Sequence, residues 1–246
     1  MIQNAVRGLF RSLGYDIVRR DYEFSPGDVA IMRRVEPFTM TSGERLYGLI
    51  SAVRYLCANN ISGSFVECGV WRGGSTMAAV LALLEENDTS RDVYLFDTFE
   101  GMSAPTDKDV VASGETAKTL LNNTSKGDGA NVWAIAGLDD VQRNLFSTGY
   151  PREKLHFVKG KVEDTVPQGA PQEIALLRLD TDWYESTRHE LMHLFPRLKN
   201  NGVLIIDDYG HWKGARQAVD EFFAAQNFKP LLTRLDYTGR LLIKTT

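Results

Sequence analysis

Apolar residues first fall at helical spacing over residues 42–56, with Leu46, Leu49, Ile50, Val53 and Leu56 on one side. The period then turns extended. Ser64-Phe65-Val66-Glu67-Cys68 reads as a buried strand that stops at Gly69 and passes through Gly73-Gly74 into a helix continued by Met77-Ala78-Ala79-Val80-Leu81. Further strands are predicted at 93–97, 155–158, 174–180 and 203–208, and helices at 138–146, 186–199 and 215–225. Asn200-Asn201-Gly202 closes the helix at 186–199. Residues 160–165 read as a loop. At the end, 231–235 and 241–244 flank Asp236-Tyr237-Thr238-Gly239-Arg240, a hairpin signal. Five strand–helix repeats closing in a hairpin predict an α/β fold: a doubly wound, mostly parallel, seven-stranded sheet ending in an antiparallel hairpin.

Two segments break the repeat. Residues 1–40 read as an N-terminal helical appendage to a domain spanning 41–246. Over 5–13 a short apolar face alternates with arginines. We expect that face to cover the domain's own core, with a membrane surface or a partner subunit in a homodimer as its other uses. Residues 101–135 are rich in Ser, Thr, Gly, Asn, Asp and Lys, with little apolar periodicity before Val132. A polar insertion of that length beside the second strand reads as a mobile substrate lid.

The first glycine turn carries chemistry. Gly69, Gly73 and Gly74 let the backbone turn sharply beside a ligand, and Ser75 or Thr76 can cap the helix. The spacing Glu67-x-Gly69-x-x-x-Gly73 differs from the Gly-x-Gly-x-x-Gly that seats a pyrophosphate. A carboxylate at the strand tip repels a pyrophosphate and suits a cationic ligand. That favours S-adenosylmethionine (SAM), with its ammonium and sulfonium, over a dinucleotide. Asp97 ends the second strand, where a ribose diol is gripped in nucleotide-binding α/β folds. No second mononucleotide-binding half is visible, which argues against a dehydrogenase.

Composition adds exclusions. The 246 residues carry a net charge of -4 without a basic stripe, so nucleic acid is not an expected partner. No apolar run reaches the roughly 18 residues of a membrane span. Two cysteines, Cys57 and Cys68, make no disulfide framework. With no secretory leader pattern at the start, they point to the reducing cytoplasm.

The fourth strand ends in Asp180, with Asp182 two residues on, and the fifth in Asp207-Asp208. Strand carboxyl ends share one rim, so these carboxylates should converge. Mutual repulsion makes such a cluster costly unless a cation joins it or some groups are protonated. All-oxygen ligands suggest Mg²⁺, with Mn²⁺ or Ca²⁺ as substitutes. A divalent cation lowers the pKa of an aliphatic hydroxyl, and a nearby carboxylate can take its proton as a methyl group transfers.

These residues resemble the macrocin O-methyltransferase family, SAM- and Mg²⁺-dependent enzymes that methylate sugar hydroxyls on natural products. The likeness rests on Phe65 to Gly74, Phe96-Asp97-Thr98-Phe99-Glu100-Gly101-Met102, Gly160 with 162–167, Leu177 to Thr187, and Ile206-Asp207-Asp208-Tyr209. Thr39-Met40-Thr41 is similar too. The resemblance implies the class I SAM methyltransferase fold and a small glycosylated acceptor. It implies metal ligands at Asp180, Asp207 and Asp208, with Asp180 also the base. The cofactor would lie among Met40, Glu67, Gly69, Val70, Gly73, Ser75, Asp97 and Thr98, with Glu163 and Asp164 near the adenine. Asp182 and His211 are alternative bases. Tyr47, Trp71 and Trp133 are candidates for the acceptor wall, while His189 and His193 read as packing or surface residues and His156 takes no role. Catechol or phenol methylation, and SAM binding without catalysis, are the competing functions.

Overall fold

A computed structural model describes residues 2–15, 24–127, 131–226 and 229–245. In chain order the helices and strands are α1 (Ile2–Ser12), α2 (Pro26–Val35), α3 (Gly43–Ala58), β1 (Ser64–Cys68), α4 (Gly74–Glu85), β2 (Val93–Asp97), α5 (Ala117–Asn123) and α6 (Leu138–Phe146). They continue with β3 (Leu155–Lys159), α7 (Val162–Thr165), β4 (Ile174–Leu179), α8 (Tyr184–Leu194), β5 (Leu198–Ile206), α9 (Lys213–Ala225), β6 (Thr233–Arg234) and β7 (Arg240–Ile243).

The strands form one seven-stranded sheet in the order β3-β2-β1-β4-β5-β7-β6. The first five are parallel, and β7 joins β5 antiparallel. The order reverses between β1 and β4, which is the switch point where ligands enter such sheets. Both faces are covered. Phe65, Leu95, Leu176 and Ile205 pack with Leu49, Ile50, Val53, Met77 and Val80 of α3 and α4. Val66, Phe96, Leu177, Leu204 and Ile206 pack with Leu191, Val219 and Phe223 of α8 and α9. That double burial explains why the strands read as continuous apolar runs.

Several boundaries differ from the sequence reading. Pro196 cannot donate to a helix, so α8 stops at Leu194 and 198–201 belong to β5 instead of a longer helix. The segment read as a loop at 160–165 contains the single turn α7. α2 was not anticipated. Ser25 and Asp28 form a capping box around Pro26, and Ile31 and Val35 enter the core beside α3 and α4. The apolar face of α1 does not cover the core: Leu9 and Leu13 are 63% and 65% exposed, and Phe10 and Tyr15 are exposed beside them.

The insertion at 101–135 is more than a polar loop. Its described part holds α5, and Val111, Ala117 and Leu121 form a small core with Trp183, Trp212 and Ala215 from the β4 and β5 exits. Among the described residues, no helix is long and apolar enough to cross a membrane.

Candidate active site

Four strand tips, those of β1, β2, β4 and β5, build one rim. Gly69 sits at φ +81°, and a Cβ there would meet the Asp180 carbonyl oxygen at 1.9 Å. Only glycine lets the exits of β1 and β4 cross this closely. Asp180 N–H donates to the Cys68 carbonyl at 2.8 Å, and Asp207 N–H to the Leu179 carbonyl at 2.9 Å. The acid-bearing residues are thus held in sheet register one step beyond the strands. Trp71, Phe99 and Asp182 lie just past the tips of β1, β2 and β4 with φ of 46°, 52° and 65°. Left-handed backbone is uncommon for non-glycine residues and collects at functional sites.

Over this rim lies a cavity of about 420 Å³. One half is bounded by Met40, Gly69, Val70, Ser75, Asp97, Thr98 and Glu163. Asp97 is fixed there by three backbone N–H groups. Val70 and Trp71 donate to its Oδ2 at 2.6 and 3.2 Å, and Phe99 donates to its Oδ1 at 2.7 Å. Burial nevertheless raises its carboxyl above the usual range. The other half is bounded by Asp180, Asp182, Asp207, Asp208, His211 and Trp212.

Asp180, Asp207 and Asp208 each place a carboxylate oxygen within 4.8 Å of the others. Burial drives Asp180 and Asp208 well above the ordinary carboxylate range, and neighbouring acids push the same way. Asp182 is pushed up to about 7 by burial, reinforced by Asp180 and Asp207. Its Oδ1 accepts from Trp212 Nε1 at 2.8 Å, and its backbone N–H donates to Asp208 Oδ2 at 3.2 Å. Burial and the nearby Arg45 lower the His211 pKa, so its imidazole is neutral at pH 7.

Two arginines that the sequence reading missed compensate the acids. Arg178 is 3% exposed and reaches Glu67 Oε1 at 2.7 Å, Asp180 Oδ2 at 2.6 Å and Asp207 Oδ1 at 2.6 Å. Arg45, on α3, pairs with Asp207 and with Asp236 Oδ2 at 2.9 Å. Arg178 had a visible signal, a lone charge inside the apolar run 174–179. Arg45 had none, since a charged residue on an amphipathic helix normally faces water.

Three expected cofactor residues do not bound the cavity. Glu67 points to the other sheet face, where it is the register partner of Arg178 and also accepts from Thr76 of α4. Side chains alternate along a strand, so Glu67 faces away from the side that Val66 and Cys68 take. A cationic ligand would find Arg178 already there. Gly73 caps α4 at φ +87°, a left-handed backbone that favours glycine, and a Cβ on it would also crowd the tip of Leu145, so this glycine serves the turn. Asp164 lies in α7 outside the lining, while Glu163 is on it. Of the aromatic candidates, Trp71 lines the cavity. Tyr47 packs against Phe24 in a tilted ring pair, and Trp133 donates to Leu121 and Thr124 carbonyls inside the insertion. His189 Nε2 donates to the Val166 carbonyl at 2.9 Å and packs against His193, both away from the rim.

A donor-type cavity beside an acidic rim at the switch point invites comparison with known enzymes. A family profile described as Macrocin-O-methyltransferase (TylF) matches residues 28–244. An 8-demethyl-8-(2,3-dimethoxy-alpha-L-rhamnosyl)-tetracenomycin-C 4'-O-methyltransferase from Streptomyces olivaceus is 32% identical over 201 residues, 82% of this chain and 73% of that one. A mycinamicin III 3''-O-methyltransferase from Micromonospora griseorubida is 31% identical over 82% of this chain and 76% of its own. Among solved structures, the O-methyltransferase NovP superposes with a TM-score of 0.72 at 27% identity, covering 99% of this chain and 98% of that one. The calicheamicin methyltransferase CalS11, at 19% identity and a TM-score of 0.59 over 95% and 96% of the two chains, shares the fold. The match spans both halves of the cavity and every strand of the sheet, and on that ground the chain belongs to the macrocin O-methyltransferase family and is an O-methyltransferase.

Proposed function

We propose that the enzyme transfers the methyl group of SAM to a sugar hydroxyl on a small glycosylated acceptor, with a divalent cation, Mg²⁺ first, at Asp180, Asp207 and Asp208. The observation that carries this reading is the convergence of three carboxylates within 4.8 Å at the mouth of a nucleotide-type cavity. The relatives' names support the acceptor class, since one specifies the 4'-O position of a rhamnosyl-tetracenomycin and another the 3''-O position of mycinamicin III.

The residues present fit both groups. A cavity of about 420 Å³ lies inside the range of roughly 300–1,000 Å³ usual for small-molecule sites. Three backbone N–H groups occupy most of the roughly four acceptor positions of Asp97, and the Thr98 hydroxyl reaches Oδ1 only at 3.4 Å while it donates to the Gly101 carbonyl at 2.7 Å, so a ribose hydroxyl would take the place of that long contact. Ser75, Gly69 and Glu163 would complete the cofactor's bed. The cation's ligands are hard carboxylate oxygens, the donors Mg²⁺ prefers. When bound, SAM supplies an electrophilic methyl group on a sulfonium, and the cation supplies a lower hydroxyl pKa.

The chain's own residues do the rest. Arg178 takes Asp180 Oδ2, so Oδ1 is the oxygen left to serve both the cation and the acceptor's proton. Arg178 holds that carboxylate in one orientation, so the oxygen is aligned before the acceptor arrives. Met102, Val132 and Trp212 give the same cavity an apolar lining.

A paired assay tests this reading. Methyl transfer to a panel of glycosides should fall in excess chelator and return with Mg²⁺, and catechols should be poor acceptors. Full turnover in chelator would reject the cation, and a preference for catechols would reject the sugar.

A further inference from the structure

The helices that follow the two acid-bearing strand tips both start without a cap of their own. α8 has Trp183 at its N-cap and α9 has Trp212, and neither side chain accepts a first-turn N–H. Such N–H groups need an outside acceptor.

The 101–135 insertion provides one. Asp109 is fully buried, and its Oδ1 accepts the N–H of Tyr184, the first residue of α8, at 2.8 Å. Its Oδ2 is held by the Thr106 N–H and hydroxyl at 2.6 and 2.9 Å. The same carboxylate rests on the first turn of α9, where a Cβ on Gly214 would meet Oδ1 at 2.4 Å. Adjacent backbone continues the tie: Lys213 N–H donates to the Val110 carbonyl at 2.9 Å, and Val111 bridges Trp212. One buried side chain thus faces the N-terminal ends of two helices. Only Trp183 separates Asp180-Thr181-Asp182 from α8, and the short turn Tyr209-Gly210-His211-Trp212 separates Asp207-Asp208 from α9.

We infer that Asp109 is a positioning residue: it fixes the spacing between the Asp180 tip and the Asp207-Asp208 tip, so that the insertion and the acidic site assemble together. Resting on the proposed cation site, the inference adds a part that lies in neither strand tip. Losing the carboxylate frees the start of α8 relative to α9 and spreads the three ligands. The Asp97 side of the cavity is built on β1 and β2, and Asp109 does not touch it.

The test compares Mn²⁺ binding by electron paramagnetic resonance in wild type, Asp109→Ala and Asp109→Asn, with S-adenosylhomocysteine binding measured by calorimetry on the same preparations. Asp109→Ala should weaken Mn²⁺ about tenfold, the loss typical of groups that orient metal ligands. Asp109→Asn keeps the shape and one acceptor for Tyr184 N–H, so it should lose less, and S-adenosylhomocysteine affinity should hold in both. If both variants bind Mn²⁺ like wild type, the inference is overturned. A parallel loss of both ligands also overturns it, because that marks general loosening. A wild type that takes no Mn²⁺ overturns the cation reading itself, and this inference with it.

Discussion

Replacing Asp180 by Asn should lower kcat by about 10²–10⁴-fold, the usual worth of a positioned base, while S-adenosylhomocysteine still binds. That range corresponds to about 3–5 kcal/mol of barrier at 1.36 kcal/mol per decade. The loss has two sources. An amide cannot take the acceptor's proton, and its NH₂ would face the Arg178 guanidinium or the cation if the oxygen served the other. Asp180 lies on the acidic half of the rim, whereas the bonds that fix Asp97 come from Val70, Trp71 and Phe99. Steady-state kinetics with calorimetry separates the effects. Equal loss of cofactor affinity and turnover would show that Asp180 shapes the whole cavity instead of acting on the proton.

The second large effect concerns stability. Arg178→Met should cost about 3–5 kcal/mol, the range for breaking a buried ion pair by removing one partner. At roughly 2–4 °C per kcal/mol for a chain of this size, Tm should drop by about 10 °C. Glu67 is the group left most exposed to the loss. Burial already raises its pKa in the native protein, and Arg178 is the largest effect opposing that rise. A carboxyl with a raised folded pKa contributes its stability below the unfolded value, and loses it as pH climbs through the folded one. Without Arg178 the folded pKa of Glu67 rises further. The deficit of the variant should therefore be greatest near pH 8 and shrink toward pH 5, and Glu67→Gln added to Arg178→Met should restore part of the loss. Thermal melts across pH check both statements. A pH-independent deficit would mean that packing, and not charge, is what Arg178 supplies.

How far the sequence carried depends on which interactions are local. Asp180, Asp207 and Asp208 could be placed together because parallel strands end on one edge, and adjacent tips then converge whatever the loops do. Gly69 was legible as a turn, though the reason for it, the Asp180 carbonyl, comes from a strand far along the chain. Glu67 was assigned to the cofactor because its partner was unseen. Its position on the strand fixes its face, but which face meets Arg178 depends on the β1–β4 register. α2 could have been found from Ser25-Pro26-Gly27-Asp28, a local capping signal. The order within 101–135 could not, because its small core borrows Trp183 and Trp212 from other segments. The amphipathic pattern of α1 reports an apolar face without saying what that face meets, and in the folded chain Leu9 and Leu13 meet solvent.

The central claim is that one sheet edge seats the methyl donor and the divalent ion side by side. Crystals grown with S-adenosylhomocysteine and Mn²⁺, measured at the manganese absorption edge, address it most directly. One anomalous peak ligated by Asp180, Asp207 and Asp208 is expected, with the cofactor's ribose on Asp97. A cofactor seated on Asp97 with no manganese among those three aspartates would contradict it.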